Sequence, residues 1–470
     1  KHQEDPFIDF NIQYLIPHME STRGPKLAIG DVDKDGLEDF FVCGAKGQPG
    51  ALMIQTKTGK FISRDTVIFY KNAGSESVDA AFFDANQDGN PDLLTISGGN
   101  EYENGNPKLA DHLYLNDGKG NFKEASNALP PSFINKSCVA VADVNHDGTR
   151  DLFIGGFADA KRYGYASPSQ LLLNDGKGNF KSADETTISL AGMGMVSSAV
   201  FSDINKDGWM DLIVAGEWMP VTVFMNEKGV FRKTEIPNSS GLWQSLYATD
   251  INGDGYADLL AGNWGHNSKL WAGKNGPLKM YVKDFDNNGS VEQVMAYTID
   301  GKEYPFLAKD ELERALPVLK KAYLTYGEVA GKTVQYMFYD LFKDYKEFNA
   351  ETLSSSCFLN DGKGNFTRTD LPDALQQAPV FSFAADGHHP DSAWLAGGNF
   401  YGVMPYEGRY DALFPSVFSL ANKKVRYITD LPEVGGEIRD MKWINGPAGR
   451  KILIVARNND SLVFLKPANP

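Results

Sequence analysis

Oxygen-bearing side chains recur along this chain at one fixed spacing. Asp31, Asp33, Asp35 and Asp39 stand at positions 1, 3, 5 and 9 of a nine-residue stretch, with Gly36 at position 6. The pattern returns as Asp84, Asn86, Asp88 and Asp92, then as Asp143, Asn145, Asp147 and Asp151. It returns again as Asp203, Asn205, Asp207 and Asp211, and as Asp250, Asn252, Asp254 and Asp258. A sixth copy carries Asp284, Asp286, Asn288 and Glu292. Position 7 (Leu37, Asn90, Thr149, Trp209, Tyr256 and Ser290) adds a backbone carbonyl. A hard cation such as Ca²⁺ takes six to eight such oxygens at about 2.3–2.6 Å on a sharply folded loop. Glycine at position 6 permits the positive φ that bends the chain round the ion. A single stretch of this kind also reads as an ordinary Asx turn. Six copies in register read as about six structural Ca²⁺ sites. An EF-hand fits poorly, because its last ligand stands at position 12 between helices, whereas here the acid stands at position 9 between strands.

The balance of charge agrees with that reading. The 470 residues carry a net charge of −15, and the six loops hold 19 carboxylates at their ligand positions. Six bound Ca²⁺ would offset most of that charge. An acidic chain of this kind is not expected to bind nucleic acid. Hydrophobic content of 42% and aromatic content of 12% suffice for a core, and 47 glycines suit a turn-rich all-β protein. Cys43, Cys138 and Cys357 sit in apolar runs and read as free buried thiols, not as a disulfide framework. No run of 18 apolar residues is present, so no membrane span is expected.

The elements that position the loops follow one plan. A short apolar strand (a) enters each acidic loop and a second (b) leaves it. A third (c) ends in a glycine-rich turn and a fourth (d) follows. In the second repeat the c–d turn is Asn116-Asp117-Gly118-Lys119-Gly120-Asn121-Phe122, repeated word for word at 174–180 and 360–366. Asp-Gly between alternating strands reads as a hairpin. Loop starts lie 53, 59, 60, 47 and 34 residues apart. Four short antiparallel strands per 40–60 residues are the signature of a β-propeller blade. The fold class is therefore all-β, a propeller over 27–470. Two further repeats, near 380–398 and 438–465, lack the acidic loop. The count of a strands gives eight blades, with seven as the alternative because the 34-residue interval is short. The arm 1–26, through Phe7–Ile12, is expected to supply a missing last strand and close the ring. The region 300–352 interrupts the plan with helical spacing, acidic at its start. It reads as a helical insertion between strands b and c of the sixth blade.

The stretch Ala28-Ile29-Gly30-Asp31 to Asp39-Phe40-Phe41-Val42, with its copies, resembles the FG-GAP/VCBS repeats of integrin α-subunit propellers and many bacterial surface proteins. The likeness covers nearly the whole chain. It runs most closely to the C-terminal propeller of bacterial proteins resembling cartilage acidic protein, including the 7–18 arm, the 303–326 insertion and Gly398-Asn399-Phe400-Tyr401-Gly402. Longer members of that group carry an ASPIC/UnbV domain, which is absent here, so the chain is expected to be part of a larger protein. The resemblance implies a Ca²⁺-stabilised propeller in an extracellular space or on a bacterial outer surface, in a binding role. It names no ligand, since fold does not fix function.

If the acidic loops share one face, the b–c connections share the other. Those connections carry Tyr102, Tyr163, Glu217, Trp218, Asn263, Trp264, His266, Asn399, Tyr401 and Arg409. Aromatic rings stack on sugar faces and amides bind hydroxyls, and the same residue types dominate protein hot spots. The expected partner is a polysaccharide or a surface protein. No nucleophile motif, P-loop or C-x-x-C is present, and no catalytic residue is assigned. The alternative is a Ca²⁺-dependent polysaccharide lyase, with a base drawn from Arg162, Tyr163, His266, Arg409 or Tyr410. Each loop of like charges holds its shape only when neutralised. Chelating Ca²⁺ is therefore expected to lower the melting temperature sharply, and an unchanged melt in excess chelator would contradict the metal reading.

Overall fold

The computed structural model describes every residue except 65–66, 273–275, 386–392, 422–423 and 467–470. Residues 386–392 hold the degenerate a–b loop of the repeat near 380, so that loop and its His388-His389 lie outside the described residues.

Among the described residues seven blades form the ring, the second and third joined into one sheet by a parallel pair at Gly98 and Lys136. Their a strands are Leu27–Gly30, Glu76–Phe83, Lys136–Ala142, Met195–Ser202, Ser245–Thr249, Val380–Ala385 and Glu437–Asn445. Each packs against the next, and Glu437–Asn445 returns to Leu27–Gly30. The first six blades have four antiparallel strands and the seventh has three among the described residues. The alternation of buried and part-exposed residues along Lys136–Ala142 follows the period of two that a pleated strand imposes. The b strands Asp92–Gly98 and Asp211–Met219 are buried throughout, because blades cover both faces.

The eight-blade count is thus corrected to seven, for a topological reason. The loop at 284–292 does not belong to a blade of the ring. It joins Leu278–Lys283 to Glu292–Ile299 in a separate four-stranded sheet completed by Lys302–Pro305 and Lys346–Ala350. That sheet and the helices Lys309–Ala315, Pro317–Ala322, Tyr326–Val329 and Val334–Phe338 all lie between strands Asp258–Gly262 and Ser356–Asn360 of blade five. The insertion therefore starts before residue 300 and interrupts blade five. An acidic hairpin loop needs only two antiparallel strands, in the ring or out of it. The insertion has its own core of Tyr281, Phe285, Val294, Leu312, Leu316, Leu319, Val334 and Phe338.

The arm also departs from expectation. Residues 7–12 form no strand, and Asp9–Asn11 is a single 3₁₀ turn. Phe10 and Ile16 enter the central core with Trp218, Trp264 and Phe400. Burying those side chains at the axis competes with pairing at an edge, where they would stay half-exposed.

Two sets of bonds join the blades. On the inner ring, bulges in the a strands turn polar side chains towards the next blade. Asp79 accepts from Val139 N, Ser198 from Leu246 N, Ser382 from Met441 N and Asp440 from Leu27 N, each at 3.0 Å. Nearer the acidic loops, the residue that ends strand c reaches back one blade. Asn116 Nδ2 donates to Val32 O, Asn174 to Ala85 O, Asn226 to Val144 O and Asn360 to Ile204 O, at 2.7–2.9 Å. Gln55 plays the same part towards Asn445 O across the closure of the ring.

Asn174 also donates to Arg150 O at 3.1 Å. Replacing it by alanine leaves buried carbonyls without a donor, at about 1–3 kcal/mol for each buried group left unsatisfied. Asn174→Ala is expected to lower the thermal midpoint, whereas Asn121→Ala, in the exposed part of a c–d turn, is expected to leave it nearly unchanged. Equal midpoints for the two variants would show that the stitch carries no stability.

Candidate functional site

Each acidic loop is built on its own backbone. In the first, Asp31 accepts from Asp35 N and Gly36 N at 3.2 and 3.0 Å. Asp35 accepts from Leu37 N at 2.9 Å. Asp39 lies at the floor and accepts from Val32 N at 3.0 Å and Gln55 N at 2.7 Å. The same two bonds hold Asp92, Asp151, Asp211 and Asp258. Position 4 takes positive φ as well as position 6, at Lys34, Gln87, His146, Lys206 and Asn287. In the ring some of these side chains lean on the next loop: Gln87 donates to Gly148 O at 3.2 Å, and His146 meets Gly208 O at 2.9 Å while stacking on Trp209.

The floor carboxylates are electrostatically poised. Burial pushes Asp39, Asp92, Asp151, Asp211 and Asp258 up to about 6, against the pull of their two backbone N–H groups. Burial raises Glu292 to about 7. The donor set fits a hard cation: Asp31, Asp33 and Asp39 offer oxygens within 4.8 Å of one another, as do Asp284, Asp286 and Glu292. Oδ1 of Asp33, Asp143 and Asp286 is buried without a hydrogen-bond partner. These residues, with the equivalent positions of the other loops, are the ones that could hold a cation.

The opposite face does not form the open aromatic rim expected from the b–c connections. Six of its ten residues are buried: Tyr163, Glu217, Trp218, Asn263, Trp264 and Asn399. The arm lies over them. His18 stacks on Trp264 with centroids 4.5 Å apart, and Phe10 joins the same core. Glu217 accepts from His18 Nε2 at 3.1 Å, Arg23 at 3.2 Å, Gln244 at 2.8 Å and the Tyr163 hydroxyl at 2.5 Å. Trp218 Nε1 donates to the Tyr163 hydroxyl at 2.8 Å. Asn263 binds Leu242 N and Thr352 O, and Asn399 binds Leu413 and Gly436. These six residues are corrected from ligand contacts to the packing of a plug. The reason is that large rings and amides at the axis are better satisfied by the tethered arm, through Phe10, Ile16 and His18, than by water. Tyr102 and Tyr401 are half-buried, under Lys46 and Arg409 respectively. His266 is exposed, with Nε2 2.7 Å from Ser354 Oγ. The lyase bases do not gather at one open point, since Tyr163 and Tyr410 are buried while Arg162 is exposed and paired with Asp159.

His18, Glu20 and Glu217 also stand close enough to hold a metal. Arg23 already occupies the carboxylates, at 3.4 Å from Glu20 and 3.2 Å from Glu217. The plug is therefore a charge network. Its apolar flanks hid it in the sequence, although a His, a Glu and an Arg within six residues were a signal. Below the plug a cavity of ≈ 440 Å³ follows the axis along the inner strands, lined by Lys26, Asp79, Ser198, Tyr247, Ser382, Asp440 and Lys442 among others.

The profile of the FG-GAP-like repeat matches residues 31–95, 84–154, 162–214 and 203–261. This chain carries FG-GAP-like repeats. The matched stretches span the loops of blades one to five and leave the insertion and the last two blades outside. No curated protein matches the chain. Among solved structures it is similar to Saccharomyces cerevisiae Sqt1 at 12% identity, with a TM-score of 0.46 over 97% of this chain and 98% of that one. The Dos1 propeller gives 12% identity and a TM-score of 0.41 over 98% of each chain. The V. cholerae biofilm matrix protein Bap1 gives 11% and 0.39, over 97% of this chain and 89% of that one. No helix among the described residues is long and apolar enough to cross a membrane, and the three cysteines are free and buried.

Burial opposes the charge on His18, but Glu217 and Glu20 outweigh it and raise the imidazole to about 10. A folded value above the unfolded 6.5 stabilises the protein fully below pH 6.5 and progressively less up to pH 10. The melting temperature is expected to fall across that window, and His18→Gln to flatten the fall. A wild-type slope retained in His18→Gln would refute the role of this ion network.

Proposed function

We propose that this chain is a Ca²⁺-stabilised binding propeller that works outside the cytoplasm, at a cell surface, and recognises a protein partner through its blade-five insertion. The single observation that carries the binding role is the insertion's surface. Val318, Leu324, Tyr326, Tyr336 and Tyr339 are exposed there, Leu324 by 79% and Tyr339 by 77%. Tyrosines on short helices, with Leu324 in the link between two of them, cost little side-chain entropy to immobilise and suit a protein interface. The FG-GAP-like repeats support a scaffold of this kind.

The six loops support the metal and the compartment. Ca²⁺ when bound would supply the positive charge that like-charged carboxylates need, and exposed loops of this type suit millimolar Ca²⁺ outside cells. Asp31, Asp33, Asp35, Asp39 and their equivalents would hold it, with the position 7 carbonyl. The relation to bacterial proteins resembling cartilage acidic protein belongs to the same proposal, as does membership of a larger chain. A polysaccharide partner has less support, because Trp218 and Trp264 are packed under the arm. The lyase alternative has less still, for want of an assembled base.

The test pairs two measurements in Ca²⁺. Wild type and Tyr336→Ala/Tyr339→Ala are applied to intact source cells with a cross-linker, and both are run through gels cast with a panel of polysaccharides. The expected result is one discrete cross-linked protein with wild type, lost with the double variant, and no retardation by any polymer. Retardation by a polymer that survives the double variant would replace the protein partner by a glycan.

A further inference from the structure

We infer that Glu76 and Glu101 form a separate cation site, at the seam between blade two and the N-terminal arm, for a hard divalent ion such as Ca²⁺. Glu76 opens strand a of blade two and lies opposite Gly98, the last residue of strand b. Gly99 then takes a φ of 88° and turns the chain, so that Glu101 faces back towards Glu76. Glu76 is 2% exposed. All four carboxyl oxygens of Glu76 and Glu101 are buried, and no other residue among those described donates a hydrogen bond to them; the two carboxyls face each other, with only the backbone N–H of Glu101 itself beside them.

The geometry brings these oxygens to one point. A Cβ on Gly99 would stand no more than 2.5 Å from Oε2 of Glu76 and from Oε2 of Glu101. Two oxygens that share such a point are no farther apart than two ligands of one Ca²⁺, each at about 2.3–2.6 Å. Glu4, from the arm, lies in the same neighbourhood as another buried carboxyl, bound through Oε1 to Asn458 Nδ2 at 2.6 Å, but it does not come within 4.8 Å of both glutamates as a third ligand would. Lys46 adds positive charge nearby, but its ammonium is committed to Asp5 at 2.7 Å. Burial pushes Glu76 well above the usual carboxylate range, Glu101 up to about 7 and Glu4 to about 8.

Such a cluster needs either a proton or a cation. One shared proton makes one hydrogen bond between the two carboxyls and leaves the remaining buried oxygens without a donor, which is costly. A divalent cation faces several of these oxygens at once and offsets both charges. It also attracts Glu4, and so favours the docked position of the arm. None of the six acidic loops contributes to this site, so it stands or falls apart from the proposed loop sites.

Anomalous difference maps from crystals of the whole chain grown in Ca²⁺ read every site separately. The expected result is a peak between Glu76 and Glu101 in wild type, absent from Glu76→Gln/Glu101→Gln, whose amides can bond to each other and keep the fold. A wild-type map without that peak overturns the inference whatever the loops show, and so does a peak that persists in the double variant. Empty loops beside a filled seam would overturn the loop reading and support this one. Should the double variant fail to fold, the wild-type map decides alone.

Discussion

The structure depends on a carboxylate at the floor of each acidic loop of blades one to five, held by two backbone N–H groups. One N–H belongs to the loop itself and the other to the residue that ends strand c. Asp92 thus meets Ala85 N and Asn116 N at 2.9 and 2.8 Å. The amide of that same Asn116 reaches the carbonyl of Val32 in the preceding blade. A single acid fixes the loop's shape, the pairing of strands b and c, and the seat on the preceding blade. Buried carboxylates are costly unless every lone pair finds a donor. The repeat finds those donors in backbone that it must fold anyway.

That economy explains how one blade can differ from another without loss of the ring. Gln55 replaces the asparagine in blade one and bonds to Asn445 O, where blade seven has no acidic loop. On the inner ring, bulged strands hand a carboxylate or a hydroxyl to the next blade's N–H, and Asp440 closes the circle at Leu27. Blade five tolerates an insertion of about ninety residues because its strands b and c still meet, with Leu259 opposite Phe358. Loop length costs little once the ends are held.

The arm uses a different principle. Its His18, Glu20 and Arg23 carry charge into a buried site, where only full pairing with Glu217, Gln244 and Tyr163 makes burial tolerable. Such a network is specific in position and sensitive to protonation. It closes one end of the axis and leaves the polar cavity along the inner strands. Large exposed side chains gather instead on the outside of the molecule, among them Leu324, Tyr326, Tyr336 and Tyr339 of the insertion, which is where the proposed partner would dock.

Local spacing by itself determined the acidic loops, their glycine bends, the four-strand plan and the all-β propeller class. The loops and their bends depend on residues within ten positions of one another, and the plan and the class became legible because that short pattern repeats along the chain. The tertiary structure decided the rest. Whether Asp284–Glu292 joins the ring depends on which strands neighbour its hairpin, and the loop's own residues are the same in either case. Whether Trp264 meets a ligand or the arm depends on His18, which lies 246 residues away in sequence and 4.5 Å away in space. Phe7–Ile12 alternates like a strand, but burial of Phe10 at the axis outweighed edge pairing. Contacts of that range carry no periodicity, so only the folded chain reveals them.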